Sequence, residues 1–165
     1  MNGLSTWIIN TFGGVLTKEA LVFVISMTPI LELRGGLLAA SYLHVEMWKA
    51  IGICVVGNLI PVPFILLLIT PVFNWLKKTD LFRPMVEKLE NKAMSKKDTI
   101  EKYEFWGLVL FVGIPLPGTG AWTGSLIASM LGIDFKKAFP AVCVGVAMAT
   151  VIVTVISYVI LGQVW

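Results

Sequence analysis

The chain is written twice. Displaced by 88 positions without a gap, residues 23–57 lie over 111–145, and 12 of the 35 positions are identical. The identities are Phe23/Phe111, Val24/Val112, Pro29/Pro117, Gly36/Gly124, Leu38/Leu126, Ala40/Ala128, Ser41/Ser129, Leu43/Leu131, Lys49/Lys137, Ala50/Ala138, Val56/Val144 and Gly57/Gly145. Val45/Ile133 and Glu46/Asp134 are conservative matches. The proline, glycine and lysine pairs carry the signal, because a bias toward apolar residues does not produce them. Whatever one copy folds into, the other must be able to fold into as well. Duplicated apolar chains are typical of transporters whose site lies where the halves meet.

Composition fixes the solvent. Of the 165 residues, 57% are hydrophobic and 14% charged, with a mean hydropathy of +0.86. Soluble domains run nearer 45–50% apolar and about 25% charged. The chain is therefore expected to be an all-α, multi-pass integral protein of the cell membrane. The net charge of +3 does not indicate nucleic acid, because the basic residues gather in one polar segment without an aromatic face that could stack bases. Cys54 and Cys143 lie in apolar stretches and read as small buried hydrophobes. No basic leader with a cleavage site opens the sequence, so a removable signal peptide is not expected.

Two uncharged stretches, 50–73 and 141–161, are long enough to cross a hydrocarbon core about 30 Å thick. They occupy matching places in the repeat. The apolar segments before them are interrupted. Residues 20–28 give way to Pro29, Glu32, Arg34 and Gly35-Gly36, then 37–43 resumes; 105–114 gives way to Pro115-Leu116-Pro117-Gly118-Thr119-Gly120, then 121–133 resumes. Each piece reaches about half the bilayer. Proline removes a backbone donor and glycine admits left-handed backbone. The spacing predicts two re-entrant helical hairpins with tips near the midplane. One long kinked helix, or two short crossings, would satisfy the same pattern.

Counting crossings makes the repeat inverted. Each half is a hairpin plus one transmembrane helix, repeat 1 over about 20–73 and repeat 2 over about 105–162. The two form a single membrane domain. The connector 75–104 carries eight basic residues, and Lys136 and Lys137 fall on its side, against Lys18 and Lys49 opposite. The positive-inside rule then makes the connector cytoplasmic and both termini external. Within the connector Phe82, Met85, Val86, Leu89 and Ala93 form an amphipathic stripe, with Thr79 or Asp80 as a cap and Ser95/Asp98 as a second capping box. Residues 4–16, with Trp7 and Phe12, read as a further interfacial helix.

Candidate binding residues cluster at the two tips. Pro29, Glu32, Arg34, Gly35 and Gly36 place a carboxylate and a guanidinium at membrane depth, where charge is costly and usually functional. Glu32 suits proton binding or a pair with Arg34; Arg34 suits a phosphate or carboxylate. A purely structural ion pair is the other reading. Pro117, Gly118, Thr119, Gly120, Trp122 and Thr123 supply hydroxyls, backbone donors at a half-helix start and an aromatic ring. Glycines that merely allow close helix packing would look the same. In register, Gly120 stands opposite Glu32 and Trp122 opposite Arg34. Asn58, just before Pro61 and Pro63, either satisfies backbone carbonyls or lines the cavity. His44 reads as an interfacial loop residue.

The spacing of metal-ligand, nucleophile and nucleotide motifs is absent, so neither a cofactor nor an enzyme is expected. A membrane transporter, either a secondary exporter or a lipid-carrier flippase, is the leading expectation, with a midplane site formed by the two tips. A membrane scaffold acting through its basic cytoplasmic helix is the alternative. Expected partners are membrane lipids, an anionic lipid carrier or a small amphipathic molecule, and a second copy of the chain forming a dimer that covers the hairpins.

Glu32-Leu33-Arg34-Gly35-Gly36 and the run from Pro115 to Gly124, in a chain of this size, resemble the small multidrug export protein family. The resemblance implies export. The layout of hairpin and helix also resembles the wider DedA-like group, which implies movement of polyprenyl-phosphate carriers or phospholipids with acidic and basic residues at the tips. The second tip here departs from that pattern, because it has no arginine.

Overall fold

The computed structural model describes residues 17–79, 83–94, 104–116 and 118–160. The expected helix at 4–16, Asp80, the capping box Ser95/Asp98 and Pro117 lie outside the described residues. Among the described residues the structure is helical, with no strand. The helices are α1 (Lys18–Met27), α2 (Glu32–Tyr42), α3 (Met47–Leu59), α4 (Pro61–Leu76), α5 (Arg83–Met94), α6 (Glu104–Gly113), α7 (Ala121–Met130) and α8 (Phe135–Thr154), which continues as a π-helical turn (Val155–Ile160).

Each repeat forms a helical hairpin. In the first, Leu21, Ile25, Leu31 and Ala39 share one cluster with Leu43 against it, and Gly36 lies on Ser26. Contacts that join 21 to 43 and 26 to 36 require α1 and α2 to run antiparallel. In the second, Ile127 packs on Phe111, and Gly124 lies on Val112 and Leu108, so α6 and α7 do the same.

The repeat extends to single hydrogen bonds. After α2, the His44 N–H donates to Ser41 O (3.2 Å) and the Val45 N–H to Ala40 O (2.9 Å). After α7, the Gly132 N–H donates to Ser129 O (3.1 Å) and the Ile133 N–H to Ala128 O (2.9 Å). Both pairs close a Schellman motif, with His44 (φ 55°) and Gly132 (φ 69°) in its left-handed position. All these positions differ by 88, and so do the starts of α3 at Met47 and α8 at Phe135. The helix breaks are unequal: residues 28–31 in the first copy and 114–120 in the second.

Small residues then seat each hairpin on the helix that follows it. A Cβ on Gly57 of α3 would lie 3.0 Å from Phe23 O and 3.1 Å from Ser26 Cβ. A Cβ on Gly145 of α8 would lie 2.9 Å from Val109 O and 2.6 Å from Val112 Cβ. The second set of contacts falls two residues earlier in its arm, as expected from an arm that ends two residues earlier before a longer break.

The chain divides into two compact units, residues 1–60 with 146–165, and residues 61–145. The cut at Ile60 is local: α3 ends there and Pro61, which has no N–H to donate, opens α4. Each unit therefore holds one hairpin, the first part of its own long helix and the last part of the other repeat's. The repeated serine fixes that last part in both. Ser41 Oγ donates to Ser157 O at 3.0 Å in the first unit. Ser129 Oγ donates to Leu66 O at 3.2 Å and lies 2.8 Å from Thr70 Oγ1 in the second.

Two helical stretches suit a membrane crossing, Met47–Leu76 (30 residues) and Phe135–Tyr158 (24 residues). Only 28% and 44% of their most apolar windows are buried, so neither is the enclosed core helix of a soluble domain. Along α4, Phe64, Leu67, Leu68, Val72 and Trp75 are all exposed. An apolar stripe without cover in an apolar chain is the surface of a membrane protein. In α5, Val86 is buried while Glu87 and Lys88 are exposed; Phe82 lies outside the described residues.

Close approach at the repeated glycines makes a prediction. Gly57→Val and Gly145→Val should each cost about 1–3 kcal/mol through overpacking. Gly52→Ala, where nothing lies within 4 Å of the added carbon, should be neutral or stabilising by up to about 1 kcal/mol. Chemical unfolding in detergent, followed by circular dichroism, checks both; a Gly145→Val protein as stable as the parent would refute the packing.

Candidate functional site

Glu32 is the most constrained residue in the first tip. Pro29 and Ile30 are exposed within the break, and the chain re-enters a helix at Glu32 itself. Glu32 and Arg34 thus stand on the first turn of α2 and not in the interruption, where the sequence pattern puts them. Glu32 is buried, at 5% exposure, and has φ 50°. A left-handed backbone costs an ordinary residue on the order of 1–2 kcal/mol. At the matching place the second repeat has Gly120, also at positive φ (137°) but in a different conformation, one that glycine adopts without that cost.

Arg34 is half-buried, two residues along, and its guanidinium interacts electrostatically with the Glu32 carboxylate. Gly35 continues the helix turn by donating to Leu31 O at 2.7 Å. Gly36 is the contact point of the hairpin: a Cβ there would strike Ser26 Oγ and lie 2.9 Å from Cys54 Sγ. Gly36 therefore lets α2 approach α1 and α3 closely, while Gly35 lies against Leu31 in the break. Asn58 is on α3, 2% exposed, and its Oδ1 has no hydrogen-bond partner.

The second tip is built from backbone. Gly118 (φ 79°) and Gly120 (φ 137°) occupy conformations that L side chains rarely adopt. Thr119 ties the break together. Its Oγ1 lies 2.9 Å from Ile114 O and 2.8 Å from Leu116 O, either of which can take its proton, and accepts from the Leu116 N–H at 3.3 Å. Gly120 caps α7 without a side chain. Trp122 and Thr123 are half-buried on the first turn of α7. Within each unit the site residues are thus near neighbours along one break and one helix start.

Three further residues were not singled out from the sequence. Thr28 Oγ1 donates to Ile25 O at 2.7 Å and so does in the first break what Thr119 does in the second. Thr154 and Ser157 are buried, and their hydroxyl oxygens have no partner. The signal for the last two was present: Thr150, Thr154 and Ser157 recur on one face of an otherwise apolar span. Among the described residues, no group of three or more His, Cys, Asp or Glu side chains is arranged to hold a metal ion.

A family model described as "Putative small multi-drug export protein" matches residues 32–152, from the buried glutamate through the first long helix and the second break into the second long helix. The chain belongs to the small multi-drug export family. No curated protein and no solved structure matches the chain. Family membership and the uncovered apolar helices together make this a helical membrane protein of export type.

Two predictions follow from the breaks. Glu32→Gly should fold more stably than Glu32→Ala by about 1 kcal/mol, because only glycine relieves the left-handed backbone. Equal unfolding midpoints would remove the strain argument. Thr119→Val should destabilise by about 1 kcal/mol through the lost side-chain hydrogen bonds across the break, with Thr119→Ser close to the parent.

Proposed function

We propose that this chain is a membrane exporter whose first broken hairpin carries the charged chemistry. The observation that carries the reading is Glu32: a carboxylate 5% exposed, in a left-handed position that the other repeat fills with glycine. A buried carboxylate beside a guanidinium inside an apolar protein is expensive to keep and suits an ion- or substrate-dependent change of state. Arg34 takes an anionic or electron-rich group of the cargo through its planar fork. Glu32 exchanges its pairing with Arg34 for a proton as cargo binds or leaves. The glycine-rich second break, with Trp122 and Thr123 on the following turn, acts as the closing element.

In this reading both hairpins are re-entrant, each entering and leaving the bilayer on one face, which makes the two copies opposite in sense. The connector 75–104 lies on the cytoplasmic side, supported by its excess of lysine. The cargo is a small amphipathic molecule, as the family description implies. An anionic lipid carrier shares the chemistry Arg34 would recognise and is separated from it by experiment.

The test is transport by purified protein in liposomes, with a fluorescent amphipathic drug in one arm and a labelled anionic polyprenyl phosphate in the other. Glu32→Gln and Arg34→Ala should each lower drug efflux at least tenfold, while Glu46→Gln, which removes only an exposed pair with Lys49 (3.3 Å), should leave it unchanged. Efflux unaffected by both tip substitutions would dismiss the proposed site. Movement of the lipid in place of the drug would reassign the cargo.

A further inference from the structure

Buried polarity is distributed unevenly between two otherwise repeated units. Among the described residues, eight polar or charged side chains are buried: Ser26, Glu32, Ser41, Asn58, Thr150, Thr154, Ser157 and Ser125. All but Ser125 belong to the first unit, which also buries Cys54 and Tyr158. Four of these oxygens have no hydrogen-bond partner: Asn58 Oδ1, Thr154 Oγ1 and Ser157 Oγ in the first unit, and Ser125 Oγ in the second. Leaving a polar atom buried and unpaired costs on the order of 1–3 kcal/mol. The positions 88 residues away from Asn58, Thr154 and Ser157 are Val146, Leu66 and Ile69. Leu66 and Ile69 lie in the second unit and Val146 opens the first unit's share of α8, so the repeated helices form with apolar side chains at all three offset positions.

Their order along the unit is recoverable from contacts. α2 and α3 are joined by a four-residue loop, 43–46, and run antiparallel. Gly36 faces Cys54, so one turn nearer the break Glu32 and Asn58 stand at the same level. Cys54 also hydrogen-bonds Ser26. Toward the loop, Ser41 Oγ holds Ser157 O (3.0 Å), and Tyr158 Oη donates to Val45 O (3.1 Å). Thr154 lies one turn before Ser157 on the same helix. Polar groups are thus spaced from Glu32 to the 43–46 loop over about 15 Å, half of a hydrocarbon core. The π-helical turn at Val155–Ile160 sits at the loop end, and such turns leave backbone carbonyls without their usual donor.

We propose that this seam is a water-filled half-channel that carries protons from the 43–46 loop to Glu32. Buried waters bridge polar groups that lack partners, and they make about three hydrogen bonds each. Asn58, Thr154 and Ser157 hold those waters. A proton arriving at the loop moves inward as each water and hydroxyl passes on one proton and accepts another. The last transfer converts the Glu32 carboxylate to a carboxylic acid, with no other bond made or broken. The mouth is polar: His44, Glu46 and Lys49 are exposed there. The groups around the path are Arg34 on α2, Cys54 on α3 and Tyr158 on the π turn, while α1 brings only Lys18 and Glu19 at its loop end. The second unit has Leu66 and Ile69 in the places of Thr154 and Ser157, so the path runs through the first unit. This inference rests on the reading of Glu32 as the coupling carboxylate.

Infrared difference spectroscopy of the full chain in lipid tests it without a transport assay. The Glu32 carboxylic acid band, assigned by its loss in Glu32→Gln, should exchange with heavy water quickly in the parent. Asn58→Leu and Thr154→Val, which make these positions apolar like their counterparts Val146 and Leu66, should slow that exchange at least tenfold while preserving helical content. Ser157→Ala, the smallest change, should slow it severalfold and serves if the larger substitutions do not fold. Exchange at the parental rate in all three, or no protonated Glu32 band at any pH, would overturn the half-channel. Slowed exchange in a protein that exports nothing would leave the path standing and remove the exporter reading. Export with unaltered exchange would do the reverse.

Discussion

Any backbone polar group that lies in hydrocarbon must find its partner inside the chain, because that surrounding offers none. Continuous helices meet the requirement automatically; the two breaks do not. A threonine answers in each. Thr28 returns its hydroxyl to Ile25 O in the short break. Thr119 serves Ile114, Leu116 and the Leu116 N–H in the longer one. Helix resumption is arranged by the backbone as well, with the Glu32 N–H donating to Thr28 O and the Gly124 N–H to Gly120 O. The breaks are therefore ordered structures, and the groups they carry are held in place.

The second constraint is close approach. Without a hydrophobic drive between helices in lipid, association depends on packing, and small residues permit it. Gly36 and Gly124 close the hairpins; Gly57 and Gly145 receive them on the following helices. The identical Ser41 and Ser129 then secure a helix segment contributed by the other repeat. Because each long helix has its two parts in different compact units, neither repeat completes its own packing. Duplication is in this sense a condition of the fold.

Much of this was legible in sequence because prolines, glycines and the 88-residue offset survive translation into structure without change. Glycine identities at 36/124 and 57/145 mark contacts, and the Leu43/Leu131 pair marks the caps of two Schellman turns. The hairpins, the two long helices and the exposed position of His44 follow. Less visible was where helix α2 begins. The pattern Glu32-Leu33-Arg34 looks like an interruption, since charge breaks an apolar run, yet both charged residues are helical. Nor did hydropathy show that the first span divides at Ile60, because Pro61 opens a helix as readily as it ends one. Thr154 and Ser157 escaped because hydroxyls in apolar spans usually bond back to their own helix, as Thr150 does to Val146 O. Only the folded structure reveals that these two do not.

Where the copies differ is more instructive than where they agree. At two left-handed positions the second repeat carries Gly120 and Gly132, and the first carries Glu32 and His44. At the buried seam the offset positions Val146, Leu66 and Ile69 are aliphatic where Asn58, Thr154 and Ser157 are polar. Each difference carries a cost, by backbone strain in one case and by unpaired polarity in the other. Among the described residues those costs fall mostly in the first unit, which holds Glu32, with Ser125 Oγ as the second unit's unpaired oxygen. The strained backbone and the unpaired oxygens set the first unit apart from a hairpin that closes without most of them.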